Sequence, residues 1–276
     1  MKTKLMALIT CVVLLISILP VSAFAGNSND SAMSDDIVIL YENDVHCVVE
    51  GYSKIAALKT ELQETYAHVG VVSGGDFVQG NSLGVVSKGQ YIVELMNLVG
   101  YDAVTLGNHE FDNGIDSLAA RLHEATFKVV CTNYEVSGTP LEDVVKKTVI
   151  FSRAGWKIGV IGLGVNPEGL ILKSNFGDVQ YLEPIAVANH YADSLKQHCG
   201  CDVVVALSHL GSAYDTENIE PCDEYLAQNS SSIDIIMGGH THKQVCKKCV
   251  NLKGDSVLLI QSGKSGAYLG KVKLTK

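Results

Sequence analysis

The chain has 276 residues, with 30 acidic against 21 basic side chains and a formal net charge of −9. That length can bury a large core, while the acidic balance argues against a nucleic-acid polymer or an anionic membrane as partner. An acidic protein that handles an anion needs a local source of positive charge, and bound metal ions are one.

The first 25 residues read as a secretory signal peptide. Lys2 and Lys4 precede an uncharged apolar stretch from Leu5 to Leu19, and Ala23-Phe24-Ala25 supplies a small-x-small cleavage signal. The stretch is short for a membrane span, so export without a remaining span is expected. Cleavage would leave a chain from Gly26 with a net charge of −11 and seven cysteines, at 47, 131, 199, 201, 222, 246 and 249. Outside the cytoplasm these can pair, with at least one left over, and the pairing is not legible in sequence. "CGC" and "CKKC" together are a poor match to zinc-ribbon spacing.

Residues 26–36 are polar and are expected to form a disordered lead-in to one domain over 37–276. Short runs rich in Val and Ile then recur: "IVILY" (37–41), "VGVVS" (69–73), "AVTL" (103–106), "KVVCT" (128–132), "KIGVIGL" (157–163), "DVVVALS" (202–208), "DIIMG" (234–238) and "SVLLIQS" (256–262). Such continuous apolar runs fit strands buried on both faces. Between them, residues 53–67, 89–99, 114–125, 184–198 and 222–229 carry helical patterns. In the first of these Ile55, Leu58 and Leu62 share a face and Ser53 is a candidate N-cap. Alternating strand and helix predicts an α/β fold.

Polar clusters follow the strands. "IVILY" runs into Glu42-Asn43-Asp44-Val45-His46, "VGVVS" into Gly74-Gly75-Asp76, and "AVTL" into Gly107-Asn108-His109. "DVVVALS" runs into His209, and "DIIMG" into Gly239-His240-Thr241-His242. Ligands of open α/β sheets bind beyond the carboxyl ends of strands, so these segments predict one shared site. Imidazoles with carboxylates suit zinc, manganese, iron or cobalt, and no acid-rich calcium loop is present. Asp44 and His46, like His240 and His242, are one residue apart, which on extended backbone places both side chains on one face. Asp76 is a carboxylate that could bridge two ions. Each cluster alone is an ordinary turn or cap; it is their joint occurrence that carries the signal. His68, His123, His190 and His198 have no such company and read as ordinary surface or core residues.

Other signatures fail. "GKS" (263–265) has Leu258 where a P-loop needs glycine, and "GLG" (162–164) has Pro167 where a dinucleotide fingerprint needs one. No G-x-S-x-G elbow occurs.

In order, "NDVH", "GGDFVQGN", "GNHEFDNG", "LSHLG", "GGHTH" and "QSGKSGAYLGKVKL" resemble the calcineurin-like metallophosphoesterases, and more closely their secreted 5′-nucleotidase branch. The resemblance implies a four-layer α/β/β/α sandwich with two divalent ions (Zn, Mn, Co or Fe). It assigns one ion to Asp44, His46, Asp76 and His242, and the other to Asp76, Asn108, His209 and His240. It assigns catalysis to His109 with Asp112 as partner, gives Asn108 and His109 contact with the substrate phosphate, and leaves Glu110 a structural part. The implied reaction is hydrolysis of a small phosphomonoester, a nucleotide first of all, by a metal-activated water. A phosphodiesterase on the same site and a secreted metal-binding protein with little turnover are the alternatives.

Two departures stand out. Tyr41-Glu42 occupies the place of a common His-Thr, and Cys47 that of a glycine; burial as a small apolar residue is expected for Cys47. The chain also stops where the family's nucleotide-gripping domain would begin. A separate nucleotide-binding domain or subunit is therefore a candidate partner. Without one, similar kcat/KM for adenosine, uridine and guanosine monophosphates is expected.

Overall fold

The computed structural model describes residues 10–11, 33–213 and 221–276. The rest of the expected signal peptide, and the expected lead-in up to residue 32, lie outside the described residues. The last part of that lead-in is not irregular: β1 (Ser34–Glu42) already begins at Ser34, whose N–H donates to the Thr65 carbonyl, and Asp36 pairs with Lys273. Among the described residues, no helix is long and apolar enough to cross a membrane.

Two sheets lie face to face. In the first, β1, β2 (Tyr66–Ser73), β3 (Ala103–Val104), β4 (Lys128–Val130) and β5 (Val145–Lys146) run parallel in that order. The second centres on the parallel strands β7 (Trp156–Leu163), β8 (Val203–Ser208), β9 (Ile235–Met237) and β11 (Ser256–Ser262). Antiparallel strands finish the edges: β6 (Thr148–Arg153) beside β7, β10 (Gln244–Val250) beside β11, and β12 (Gly270–Leu274) beside β1. Thr10–Cys11 pairs with β12.

The alternation of side chains along these strands builds the layers. Val38, Leu40, Val69, Val71, Val104 and Val129 pack outward under helices α1 (Val49–Gln63), α3 (Gln90–Val99) and α4 (Ile115–His123). Their neighbours Ile37, Ile39, Tyr41, Val72, Ala103 and Val130 face the second sheet, meeting Val160, Val205, Leu207, Ile235 and Ile260. On the far side, Ile161, Leu163, Val204, Ala206 and Leu259 pack with Ala188, Ala192 and Leu195 of α5 (Pro184–Gln197) and Leu226 of α6 (Asp223–Gln228). Three apolar cores between four layers make the expected α/β/β/α sandwich. Each fully buried Val, Leu or Ile contributes roughly 1.5–3 kcal/mol.

The eight apolar runs are all strands, and each expected helix is present with shifted ends. The largest shift is in α1, which starts at Val49 rather than Ser53; Val48 is the N-cap and the Ser53 hydroxyl donates to the Glu50 carbonyl. Its expected end at 67 is also early strand, since β2 starts at Tyr66. Between α1 and α3 a short helix, α2 (Ser82–Ser87), is capped by Asn81, whose side chain accepts from Leu83 N.

Candidate metal centre

Register brings the strand ends together. Glu42 lies opposite Ser73, and Ser73 opposite Val104, so Asp44, Asp76 and Asn108 leave the first sheet at one edge. Leu207 lies opposite Met237, so His209 and the 238–242 loop leave the second sheet at the matching edge. Asp44, Asp76, His209 and Glu110 are at most 1% exposed.

Asp44 Oδ1 lies 3.3 Å from His242 Nε2, and 3.9 Å from both His46 Nε2 and His209 Nε2. Asp76 Oδ2 lies 3.1 Å from His209 Nε2. Two groups of potential ligand atoms result, Asp44–His46–His242 and Asp44–Asp76–His209, each within 4.8 Å. They share Asp44, whereas the sequence pointed to Asp76 as the shared carboxylate. The His240 ring is tilted against that of His209, with centroids 5.2 Å apart, and its backbone N–H donates to Asp44 Oδ2.

The donor chemistry fits divalent cations. Asp44 Oδ1, Asn108 Oδ1 and His209 Nε2 are buried without a hydrogen-bond partner, a costly state unless something else engages them. Charge tells the same story. Burial opposes a proton on His209, yet Asp76 and Asp44 outweigh it and draw its pKa up to about 10. Burial and then the charge of His209 push His240 down to about 4. Burial would raise Asp76, but His209 and His109 hold it well below the carboxylate range. Asp44 and Asp76 thus favour positive charge between them and His209.

The expected ligands do not lie on extended segments. Asp44, His46, Asp76, His240 and His242 have φ of 52°, 49°, 61°, 71° and 56°, all left-handed. Tight turns at the strand ends, rather than alternation on a strand, aim these side chains. Non-glycine residues in this region cost about 1–3 kcal/mol each and cluster at functional sites. Gly107 permits a close approach: a methyl there would overlap Asp76 Oδ1.

A 3₁₀ turn over His109–Phe111 sorts the "GNHEFD" residues. His109 Nδ1 lies 2.8 Å from Asp112 Oδ2, both partly exposed at 38% and 34%, and His109 N–H donates to Asp76 Oδ1. Burial lowers the affinity of His109 for a proton, but Asp76 and the bond to Asp112 reverse that and raise its pKa. Glu110 turns inward and accepts four backbone N–H bonds; burial and the charge of Asp76 push its pKa up to about 7.

Some supports escaped the sequence reading. Asn43 donates to Asp44 Oδ2 (2.6 Å) and to the Gly263 carbonyl, and accepts from Ser262. Gln261 accepts from Thr241 and donates to the Gly239 carbonyl, bracing the histidine loop. Asp223 is fully buried and accepts from Ser208, the residue before His209. A lone polar residue in the apolar run "LLIQS" was the one available hint of Gln261. Cys47 is buried, donates to the Phe77 carbonyl, and packs as the small apolar residue expected. Among the described residues the seven cysteines from Cys47 onward are free thiols, and none joins a potential metal cluster.

Residues 37–244 match the calcineurin-like phosphoesterase family model. The chain therefore belongs to the calcineurin-like phosphoesterases, a family of metal-dependent phosphoester hydrolases. Within it, the likeness is to 5′-nucleotidases. The 5′-nucleotidase precursor of Thermus thermophilus superposes with a TM-score of 0.78 at 25% identity, over 87% of this chain and 51% of that one. The calcineurin-like phosphoesterase YfkN from Bacillus subtilis gives 0.69 at 26% identity, over 87% and 86%. The UshA protein of Yersinia enterocolitica is 31% identical over 234 residues, 79% of this chain and 42% of its own length. The chain spans about two fifths of the length of curated relatives such as this one.

Proposed function

We propose that the protein is an exported hydrolase of small phosphomonoesters, nucleotides foremost, working with two divalent cations. The observation that carries this is the pair of unpartnered buried atoms on Asp44 and His209, in one cluster of potential ligands beside the turn that carries Asn108 and the His109–Asp112 pair. One cation is assigned to Asp44, His46, Asp76 and His242, the other to Asp76, Asn108, His209 and His240. The bound ions would supply Lewis acidity toward a phosphate oxygen and a water molecule.

The chain's own groups do the rest. Asp44 and Asp76 provide buried negative charge that makes cation binding favourable. Asn108 orients the phosphate from the adjacent turn. Asp112 holds Nδ1 of His109, so Nε2 is left to face the substrate. In its charged form His109 donates to a phosphate oxygen and then delivers a proton to the leaving alkoxide, yielding an alcohol and inorganic phosphate. Export rests on the Lys2–Ala25 segment, and the described domain is the catalytic unit.

The test is a substrate panel on the purified protein after metal analysis: adenosine monophosphate, an aryl phosphate, a bis-aryl phosphate and a cyclic nucleotide. Faster turnover of the monoesters supports the reading. Turnover confined to diesters would replace it with the phosphodiesterase alternative, and metal binding without turnover would leave a binding protein.

A further inference from the structure

We propose that Glu110 is the positioning residue that sets Asp76 and Asn108 at their separation, through one carboxylate shared by both their loops. Its Oε2 accepts from Asp76 N at 2.8 Å and from Gly107 N at 2.6 Å. Its Oε1 accepts from Phe77 N at 2.8 Å and from Val78 N at 3.2 Å. Three donors belong to the turn after β2 and one to the turn after β3. Those turns carry the carboxylate and the amide assigned to the cations, so this inference rests on the metal-site reading above.

The need for such a residue follows from the backbone. Asp76 is left-handed, with φ of 61°, and the N–H groups of residues 76, 77 and 78 converge on one point instead of entering a ladder. Successive N–H groups in such a conformation form an anion-binding concavity. A carboxylate has about four acceptor sites on two oxygens and can satisfy all four donors at once. An amide has one acceptor oxygen and a donating NH₂ that opposes N–H groups. In the 3₁₀ turn the backbone N–H of His109 donates to Asp76 Oδ1 and its ring meets Asp112, while Glu110, 1% exposed, reaches under the same loop. Phe77 and Val78, next along, are buried in the outer core, which anchors the assembly to the fold.

A plain structural brace would affect stability alone; a positioning residue also affects what the loops hold. The comparison residue is Asp102, a carboxylate that accepts from Val71 N at 2.9 Å and pairs with Arg153 but touches neither loop. Wild type, Glu110→Gln and Asp102→Asn are compared by melting temperature in chelator and by manganese titration calorimetry. Glu110→Gln is expected to weaken manganese binding by ~10–100-fold, the usual effect of losing a group that orients metal ligands. Asp102→Asn is expected to bind as wild type does, even where it melts as early. Glu110→Gln with wild-type manganese affinity would overturn the proposal. A wild type that binds no manganese or zinc would overturn the metal-site reading beneath it, a distinguishable result. If Glu110→Gln fails to fold, Glu110→Asp serves: it keeps the charge but is one methylene too short to reach both turns, and unchanged affinity would again count against the proposal.

Discussion

Nδ1 of His209 lies 2.7 Å from the Gly74 carbonyl oxygen, across the gap between the two sheets. An acceptor at that position requires Nδ1 to carry a proton, which leaves Nε2, the nitrogen 3.1 Å from Asp76 Oδ2, as the one able to meet a cation. Metal-ligating imidazoles are commonly fixed in this way by a bond from the other ring nitrogen. The same bond ties the end of β8 to the turn after β2, so ligand geometry and sheet packing depend on one another.

Asp76 should be the least replaceable carboxylate. Its charge acts on His46, His109, His209 and His240, and Asp76→Asn removes that charge while keeping the shape. Elemental analysis of the purified variant should find both cations depleted, and hydrolysis should fall to background. A variant that keeps its metal content would show that Asp44 alone holds the pair.

His109 separates chemistry from metal binding. His109→Asn should lower kcat by about 10²–10⁴-fold, the range for a lost general acid–base group. Metal content should remain at the wild-type level, because the ring is bonded to Asp112 rather than to the cluster. Loss of metal in this variant would contradict the role assigned to it.

Gly107→Ala tests packing at the centre. The added methyl would lie 2.7 Å from His209 Cε1 as well as overlapping Asp76. Overpacking of this kind costs about 1–3 kcal/mol, and here it also displaces two ligands. Thermal unfolding and metal affinity should both suffer; an unchanged affinity would mean the loop yields without moving Asp76.

The fold was legible because β1, β2, β8 and β11 are buried on both faces and leave continuous apolar runs. The antiparallel edges were not. β10 exposes Gln244, Cys246, Lys247, Lys248 and Val250, a pattern that protects a free edge but hides a strand from hydropathy. At the site, the residue types after each strand gave away Asp44, Asp76, Asn108, His209 and the two-histidine loop. The left-handed turns that aim them went unread, since Asp and His are enriched at positive φ but adopt it in only a minority of positions. Asn43, Gln261 and Asp223 went unseen for another reason: their partners are backbone groups and side chains remote in the chain.

Thiol reactivity should follow burial. Burial pushes the Cys47 and Cys131 thiols up to about 12, so few thiolates form at pH 8. Cys246 is exposed on the edge strand. Alkylation at pH 8 followed by peptide mass spectrometry should label Cys246 first, and Cys47 and Cys131 only after denaturation. Early labelling of either buried thiol would contradict the packing described around them.

The central claim is that these strand ends hold two divalent cations on which phosphoester hydrolysis depends. Its most direct test is one preparation, assayed for bound metal and for hydrolysis of adenosine monophosphate before chelation, after it, and after manganese, cobalt or zinc is returned. A two-cation mechanism requires two metal equivalents per chain, loss of activity with their removal, and recovery on their return. Full activity after exhaustive chelation would contradict it.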